Sequence, residues 1–178
     1  MAKTPRRNAP LRPSEARRRA RRIRLVLADC DGVLTDTGVY YGESGELMKR
    51  FSIRDGMGVE RLRQAGMESG ILSGEKSPAI LRRAEKLGIR HVLLGVRDKR
   101  AALEALCAES GLGLTEVAYI GDDVNDLGVL DAIATHGLTA APADALPEVA
   151  ERVHYLCRAP GGSGALREFA EWLLALRA

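Results

Sequence analysis

Residues 23–32, which read IRLVLADCDG, decide the fold. A short and mostly apolar run is broken abruptly by two carboxylates and a glycine. Such a run is typical of a buried strand in a parallel sheet, and the polar residues after it predict a loop at the carboxyl end of that strand. Ligands of open α/β sheets bind beyond the carboxyl ends of the strands, so a functional site is expected at this loop.

Downstream of this loop the pattern predicts a β-hairpin and then alternating strands and helices. The hairpin is predicted over residues 38–53, with its turn at Gly42-Glu43-Ser44-Gly45. Strands are predicted at 23–28, 68–72, 91–94, 117–120, 138–141 and 153–157, and helices at 55–65 (capped by Asp55), 78–87, 99–110, 125–133 and 165–176. Parallel strands need crossover helices, so the alternation indicates a three-layer, Rossmann-like α/β fold with a central parallel sheet and a small hairpin flap.

Charge divides the chain into a basic arm and an acidic body. Of the 178 residues, the first 24 hold ten basic side chains and one acidic one, whereas the remainder holds 17 basic against 23 acidic. Residues 1–22 lack apolar periodicity and are predicted to form a disordered arm, with a helix as the alternative near its end, followed by one domain over residues 23–178. The arm lacks aromatic residues for base stacking, so nucleic acid is not the expected partner.

Composition favours a cytoplasmic protein. No apolar run approaches a membrane-spanning length, and no secretory signal follows the basic N-terminus, so neither a membrane nor secretion is expected. Cys30, Cys107 and Cys157 are widely spaced and form no zinc pattern. Cys107 and Cys157 are predicted to be buried as small apolar side chains.

Two acidic loops are predicted to meet at one edge of the sheet. Asp29 and Asp31 follow the first strand, and Asp122, Asp123 and Asp126 follow a later one. Carboxylates held this close repel one another unless a cation offsets their charge. Oxygen ligands suit a hard cation, so the sequence predicts a Mg²⁺ site that a substrate phosphate completes.

Three other residues fit a phosphate group. Gly32 allows a tight turn whose N–H groups face an anion, Ser73 offers a hydroxyl after an apolar strand, and Lys99 offers a cation.

The order of these residues resembles the four motifs of the haloacid dehalogenase-like phosphatases. The matching residues are Asp29-x-Asp31-Gly32-x-x-Thr35-Asp36, Ser73, Lys99 and Gly121-Asp122-Asp123-x-x-Asp126. The first motif alone would be weak, but four motifs in register with the predicted strands are specific, and the resemblance covers residues 23–178.

The resemblance implies a mechanism with an aspartyl-phosphate on Asp29. Asp31 would protonate the departing sugar oxygen and later activate water, while Ser73 and Lys99 would hold the transferring phosphoryl group. The Mg²⁺ ligands that it implies are Asp29, the backbone carbonyl of Asp31 and Asp122, with Asp123 or Asp126 acting directly or through water.

The spacing of the motifs leaves no room for a cap domain. Only 36 residues separate Asp36 from Ser73, and 25 separate Ser73 from Lys99. Water must then be excluded by a macromolecular substrate or by a neighbouring subunit. We expect the subunit, through the exposed hairpin, because an isolated two-stranded ribbon is marginally stable.

The capless layout resembles the tetrameric phosphatases of phosphorylated 3-deoxy-2-ulosonic acids. The matching segments are Arg54-Asp55-Gly56, Gly74-Glu75-Lys76, Gly121-Asp122-Asp123 and Gly161-Gly162-x-Gly164-x-x-Arg167-Glu168. Two substrates compete: 3-deoxy-D-manno-octulosonate 8-phosphate and a nonulosonate (sialic acid or KDN) 9-phosphate. Phosphatases of the octulosonate usually carry Arg where this chain has Glu75, so we expect the nonulosonate.

The expected substrate-binding residues follow from these segments. Glu75 suits sugar hydroxyls or an amine as an acceptor, whereas cations suit the substrate carboxylate. The full set is Gly32, Arg54, Gly74, Glu75, Lys76 and Arg167, with Arg167 reaching in from an adjacent subunit if the family pattern holds.

Two rival functions stay open from sequence alone. In some relatives this fold is a non-catalytic module fused to a cytidylyltransferase, and the intact acidic motifs argue against that role here. A phosphatase of nucleic acid ends would use the basic arm.

Overall fold

Parallel strands form the central layer of the protein, for which the computed structural model describes residues 11–178. The strands are β1 (Leu25–Ala28), β4 (Glu68–Leu72), β5 (His91–Leu93), β6 (Val117–Ile120), β7 (Leu138–Ala141) and β8 (Tyr155–Leu156), with β2 (Val39–Gly42) and β3 (Gly45–Lys49) in a separate antiparallel hairpin. The six parallel strands have the order β5-β4-β1-β6-β7-β8. The first strand of the sequence is therefore central, with β4 on one side and β6 on the other.

Helices cover both faces of this sheet. They are α1 (Pro13–Ala20), α2 (Ile53–Gln64), α3 (Pro78–Leu87), α4 (Lys99–Ser110), α5 (Leu127–Ala134), α6 (Pro147–Ala150) and α7 (Ala165–Arg177). Side chains of α1, α2, α3 and α7 share one apolar core with Val26 and Ala28, whereas those of α4, α5 and α6 share the other with Leu25 and Leu27. Alternate residues of β1 thus point to opposite faces, as the pleat of a strand requires. The predicted three-layer α/β fold is confirmed.

Most predicted elements are found within two residues of their expected ends. In the C-terminal half the last strand is shorter than predicted, at Tyr155–Leu156, and the short helix Pro147–Ala150 was not predicted. In the described part of the chain no helix combines the length and the apolarity that a bilayer crossing demands. Cys30, Cys107 and Cys157 are buried free thiols, as predicted for Cys107 and Cys157.

Part of the predicted arm, Pro13–Ala20, forms helix α1, the alternative that the sequence left open near the end of the arm. Helix α1 buries Ala16 and Ala20, and Arg19 donates hydrogen bonds to the carbonyls of Ala134 at 2.7 Å and Gly137 at 3.0 Å. Two alanines give no visible apolar stripe, and contacts of Arg19 with distant backbone help to hold the helix, so local sequence alone could not decide between a solvated arm and a packed helix. Residues 1–10 of the predicted arm lie outside the described residues.

The predicted cap of α2 by Asp55 is wrong. Ser52 is the N-cap of α2, and its hydroxyl oxygen accepts a hydrogen bond from the Arg54 N–H at 3.1 Å. Asp55 is instead buried and accepts from the N–H groups of Gly164 at 3.2 Å and Arg167 at 3.0 Å. These are amides at the start of α7, so Asp55 caps a helix that is remote in sequence. Burial raises the pKa of Asp55, although the α7 amides oppose the rise.

Replacement of Asp55 by alanine should destabilise the fold. Asp55→Ala leaves two buried amides of α7 without an acceptor, at an expected cost of about 1–3 kcal/mol in the free energy of unfolding. Urea denaturation would measure it. Glu85→Ala, which removes an exposed partner of Arg82, is the control and should change stability by less than about 0.5 kcal/mol. Equal stability of the two variants would contradict the capping role.

Candidate active site

The strand order brings three of the predicted loops to one edge of the sheet. Asp29 follows β1, Ser73 follows β4 and Asp122 comes two residues after the end of β6. β1 is hydrogen-bonded to both of the other strands in parallel register. The chain first extends the sheet to one side of β1 and then to the other, which makes the β1 edge a topological switch point of the kind that forms ligand sites.

A buried ion pair lies at the centre of this edge. Asp29 is buried, and its Oδ1 accepts from the Cys30 N–H at 2.7 Å and lies 2.9 Å from the Nζ of Lys99. Lys99, the first residue of α4, also donates to Asp126 Oδ1 at 2.7 Å. The predicted lysine and nucleophile are therefore in contact, with the ammonium shared between two carboxylates.

Asp126 anchors the second acidic loop. Its Oδ1 accepts from the buried hydroxyl of Tyr119 at 2.6 Å in addition to Lys99, and its Oδ2 accepts from the N–H groups of Asp122 at 2.9 Å and Asp123 at 3.3 Å. Both oxygens of Asp126 are thus engaged by donors of the chain. This carboxylate fixes the loop and the lysine whether or not it also contacts a metal ion.

The crowding of carboxylates at this edge raises the pKa values of two of them. Burial first, and then repulsion by Asp126, raises the pKa of Asp29 to about 7 although Lys99 opposes the rise. Burial, together with the charges of Asp29 and Asp126, raises the pKa of Asp122 to about 8. Both acids are therefore costly to ionise in the protein alone.

The residues at this edge fit a divalent cation. Ligand oxygens of Asp29, Asp122 and Asp126 lie within 4.8 Å of one another. Among the described residues, Asp31 Oδ2 and Asp122 Oδ1 are buried and have no hydrogen-bond partner. Buried acceptors without a donor are unfavourable, and a hard cation would satisfy Asp122 Oδ1 and offset the excess negative charge.

Two glycines let the loops approach this closely. A methyl group on Gly32 would lie 1.9 Å from Asp122 Oδ2, and the φ of +95° at Gly32 is a conformation that side chains disfavour. A methyl group on Gly161 would lie 2.0 Å from the Gly32 carbonyl oxygen. The segment before α7 therefore packs directly on the backbone of the first acidic loop.

The hairpin contributes a residue that the sequence reasoning missed. The Nζ of Lys49 lies 2.5 Å from Asp31 Oδ1 and 3.7 Å from Glu46 Oε2, and the Lys49 side chain is only 1% exposed. Burial alone would lower the pKa of Lys49, but these carboxylates outweigh it and raise the pKa. No local signal marks Lys49, because its role depends on how the hairpin folds back over the first loop.

Ser73, which the sequence predicts to bind phosphate, directly follows β4. It is buried, and its Oγ accepts from the Glu75 N–H at 3.1 Å, which leaves the hydroxyl proton to donate elsewhere. Gly74, Glu75 and Lys76 after it are exposed.

Several predicted residues lie outside the acidic cluster. Asp123 is exposed and caps the following turn through the Val124 N–H. Arg54 is exposed, with its side chain near Gly164. Arg167 donates to Glu171 Oε1 of its own helix at 2.8 Å. The structure therefore brings Asp29, Asp31, Lys99, Asp122 and Asp126 together within one chain. The predicted substrate-binding residues Arg54 and Arg167 lie outside this cluster.

A parallel α/β sheet with this aspartate pair, lysine and acidic loop at its central edge is typical of the haloacid dehalogenase-like phosphatases. Comparisons with known proteins agree. The chain is 39% identical over 156 residues to the 3-deoxy-D-manno-octulosonate 8-phosphate phosphatase KdsC of Yersinia pestis, covering 88% of this chain and 82% of that protein. It is 40% identical over 152 residues to KdsC of Haemophilus influenzae, covering 85% and 83%. No protein-family model matches the chain.

Solved structures give the same result. The structure of the Moraxella catarrhalis octulosonate phosphatase, in complex with magnesium, phosphate and KDO, has a TM-score of 0.86 and 34% identity and covers 92% of each chain. The cobalt-bound Haemophilus influenzae enzyme has a TM-score of 0.84 and 37% identity and covers 89% of this chain and 91% of that one. The chain belongs to the KdsC-like family of haloacid dehalogenase-superfamily phosphatases, and it is a phosphatase.

The raised pKa values make the stability of the metal-free protein depend on pH. Asp29 and Asp122 bind protons more tightly in the folded chain, at pKa values of about 7 and 8, than in the unfolded chain, at about 4. The folded state then holds more protons between these values, so stability should fall as the pH rises from about 5 to 8 and level off above. Thermal unfolding in chelator would measure the slope.

Asp122→Asn is the matched variant for this measurement. It removes one of the two titrating carboxyls and should flatten the slope, and added Mg²⁺ should stabilise the unaltered protein more at pH 8 than at pH 5.5. Metal-free stability that rises over this interval would show that the carboxylates are not crowded as described.

Proposed function

We propose that this phosphatase hydrolyses the phosphate ester of a 3-deoxy-2-ulosonic acid, with Mg²⁺ as its cofactor. The observation that carries the proposal is the convergence of Asp29, Asp122 and Asp126 around Lys99 in a chain that resembles the octulosonate phosphatases over most of its length.

Different observations support each of the two candidate substrates. The relatives described above act on 3-deoxy-D-manno-octulosonate 8-phosphate, which makes it the first candidate. The nonulosonate 9-phosphate, expected from the sequence, remains the second, because Glu75 stands where octulosonate phosphatases usually carry Arg. Glu75 is exposed in the loop after Ser73, where a change from cation to anion would alter the contacts offered to a sugar.

The acidic cluster would hold the metal ion. Asp29, Asp122 and the backbone carbonyl of Asp31 are the proposed ligands, with Asp123 or Asp126 acting directly or through water. Asp126 is the better placed of these two, since Asp123 is exposed. Bound there, Mg²⁺ would supply a positive charge that favours the ionised carboxylates and the phosphoryl oxygens.

In the first half-reaction Asp29 is the nucleophile. Its carboxylate oxygen forms a bond to phosphorus while the bond from phosphorus to the sugar oxygen breaks, and Asp31 gives its proton to that oxygen. Lys99 contacts Asp29 already, so it lowers the repulsion between the carboxylate and the incoming phosphate. Ser73 donates its hydroxyl proton to a phosphoryl oxygen.

In the second half-reaction Asp31, now ionised, takes a proton from water. The oxygen of that water bonds to phosphorus, the bond from phosphorus to Asp29 breaks, and inorganic phosphate leaves. Asp31 is then protonated and Asp29 ionised, which restores the starting state.

We also propose a cytoplasmic homotetramer in which neighbouring subunits complete the sites. The hairpin supports the assembly, because Tyr40, Tyr41, Leu47 and Met48 are 57–71% exposed. Arg54, Lys76 and Arg167 remain the proposed partners of the substrate carboxylate, with Gly32 and Gly74 lining the phosphate site. The two rival functions lack comparable support: the acidic motifs are intact, and Arg19 of α1 contacts the carbonyl of Gly137, directly before the amino end of β7.

Steady-state kinetics with both ulosonate phosphates would test the substrate. We expect kcat/KM for one of them to exceed that for p-nitrophenyl phosphate and for a mononucleotide by about 100-fold or more. Glu75→Arg should raise the octulosonate-to-nonulosonate ratio of kcat/KM by about ten-fold. An unchanged ratio would remove Glu75 from specificity, and a preference for the mononucleotide would contradict the substrate class.

Loss of the nucleophile should abolish turnover without unfolding the protein. Asp29→Asn is expected to lower kcat by about 10⁴-fold or more, because no aspartyl-phosphate can form. Asp131→Asn, an exposed acid of α5 that pairs with Arg152, is the control and should keep normal activity. Acid quench with ³²P-labelled substrate should trap label on the unaltered protein only; label retained by Asp29→Asn would place the nucleophile elsewhere.

A further inference from the structure

We infer that Lys49 of the hairpin is a positioning residue that orients Asp31 for proton transfer. The inference rests on the proposed function, since it takes Asp31 as the general acid and base. It gives the hairpin a role in proton transfer.

The two oxygens of Asp31 have different surroundings. Oδ1 receives the Lys49 ammonium at 2.5 Å and the Thr35 hydroxyl at 3.2 Å. Oδ2 is buried and, among the described residues, has no hydrogen-bond partner. Two donors on one oxygen fix the rotation of the carboxyl group and leave Oδ2 as the oxygen that exchanges a proton with the sugar oxygen or with water.

Lys49 is itself held in place. Its side chain is 1% exposed, and the carboxylate of Glu46, on the same strand, lies 3.7 Å from its Nζ. The other oxygen of Glu46 accepts from the hydroxyl of Ser77, a buried residue directly before α3. The contacts therefore run from the end of the loop that carries Glu75, through the hairpin, to Asp31.

A purely structural lysine would have different consequences from a positioning one. A buried ion pair contributes little net stability, so stability alone gives no reason for Lys49 to reach Asp31. Loss of a structural contact would slow hydrolysis of every substrate alike. Loss of orientation at Asp31 would slow only those reactions whose leaving group needs a proton.

Leaving-group dependence separates these two cases. p-Nitrophenolate is stable as an anion and departs without a proton, whereas a sugar alkoxide must be protonated as it leaves. Because kcat/KM covers the steps up to the departure of the leaving group, it reports on Asp31 as an acid and not on the later attack of water. The measured quantity is the ratio of kcat/KM for the better ulosonate phosphate to kcat/KM for p-nitrophenyl phosphate.

Lys49→Met should lower this ratio by about ten-fold or more, with p-nitrophenyl phosphate hydrolysis changed by less than about three-fold. Lys49→Arg keeps a cation at this place and should restore the ratio to within about three-fold of normal. Arg50→Met is the matched control: Arg50 adjoins Lys49 but pairs with the exposed Asp36 at 2.7 Å, and its loss should leave the ratio unchanged.

Two results would overturn the inference: an unchanged ratio in Lys49→Met, including the case of equal losses on both substrates, or a failure of Lys49→Arg to restore the ratio. If Lys49→Met does not fold, Glu46→Gln decides, with an expected fall of about three-fold in the ratio and no change as the contrary result. Asp31→Asn separates this inference from the proposed function. A fall in the ratio for Asp31→Asn but not for Lys49→Met rejects only the role of Lys49, whereas no fall for Asp31→Asn rejects Asp31 as the acid.

Discussion

Repulsion between carboxylates at the end of the central strand is the constraint on which the site depends. Asp29, Asp122 and Asp126 lie within reach of one cation, and among the described residues Lys99 is the cation that contacts two of them. The fold maintains this unfavourable arrangement because β1 is paired on both sides and buried on both faces. The same arrangement suits a divalent cation, which would offset negative charge that the protein alone leaves uncompensated and would reduce the repulsion met by an anionic phosphate.

The hairpin contacts the first acidic loop of a phosphatase whose motif spacing leaves no room for a cap domain. A two-stranded ribbon is too small to enclose a substrate, yet its last residue, Lys49, reaches the carboxyl group of Asp31. The same ribbon presents Tyr40, Tyr41 and Met48 to solvent. One element thus contacts the first acidic loop and also carries exposed apolar side chains.

Sequence reasoning succeeded where chemistry and local pattern coincide. Strand β1 and the acidic loops could be predicted because short apolar runs end in carboxylates, and parallel topology brings such ends together. It failed where a residue acts at a distance. Asp55 looked like a cap for its own helix but caps α7, and Lys49 carries no local signal. Helix α1 was left as an alternative and not predicted firmly, because its alanines and arginines fit a solvated arm as well as a packed helix.

The contact of helix α7 with the end of α1 bears on the order in which the chain folds during synthesis. Arg177 of α7 donates to the carbonyls of Ala20 and Ile23, each at 2.9 Å, beside the start of β1. The glycine segment just before α7 packs on the first acidic loop. A nascent chain that lacks residues 161–177 can make neither contact, so the packing around the start of β1 and the first acidic loop can be completed only after the chain has been synthesised through α7.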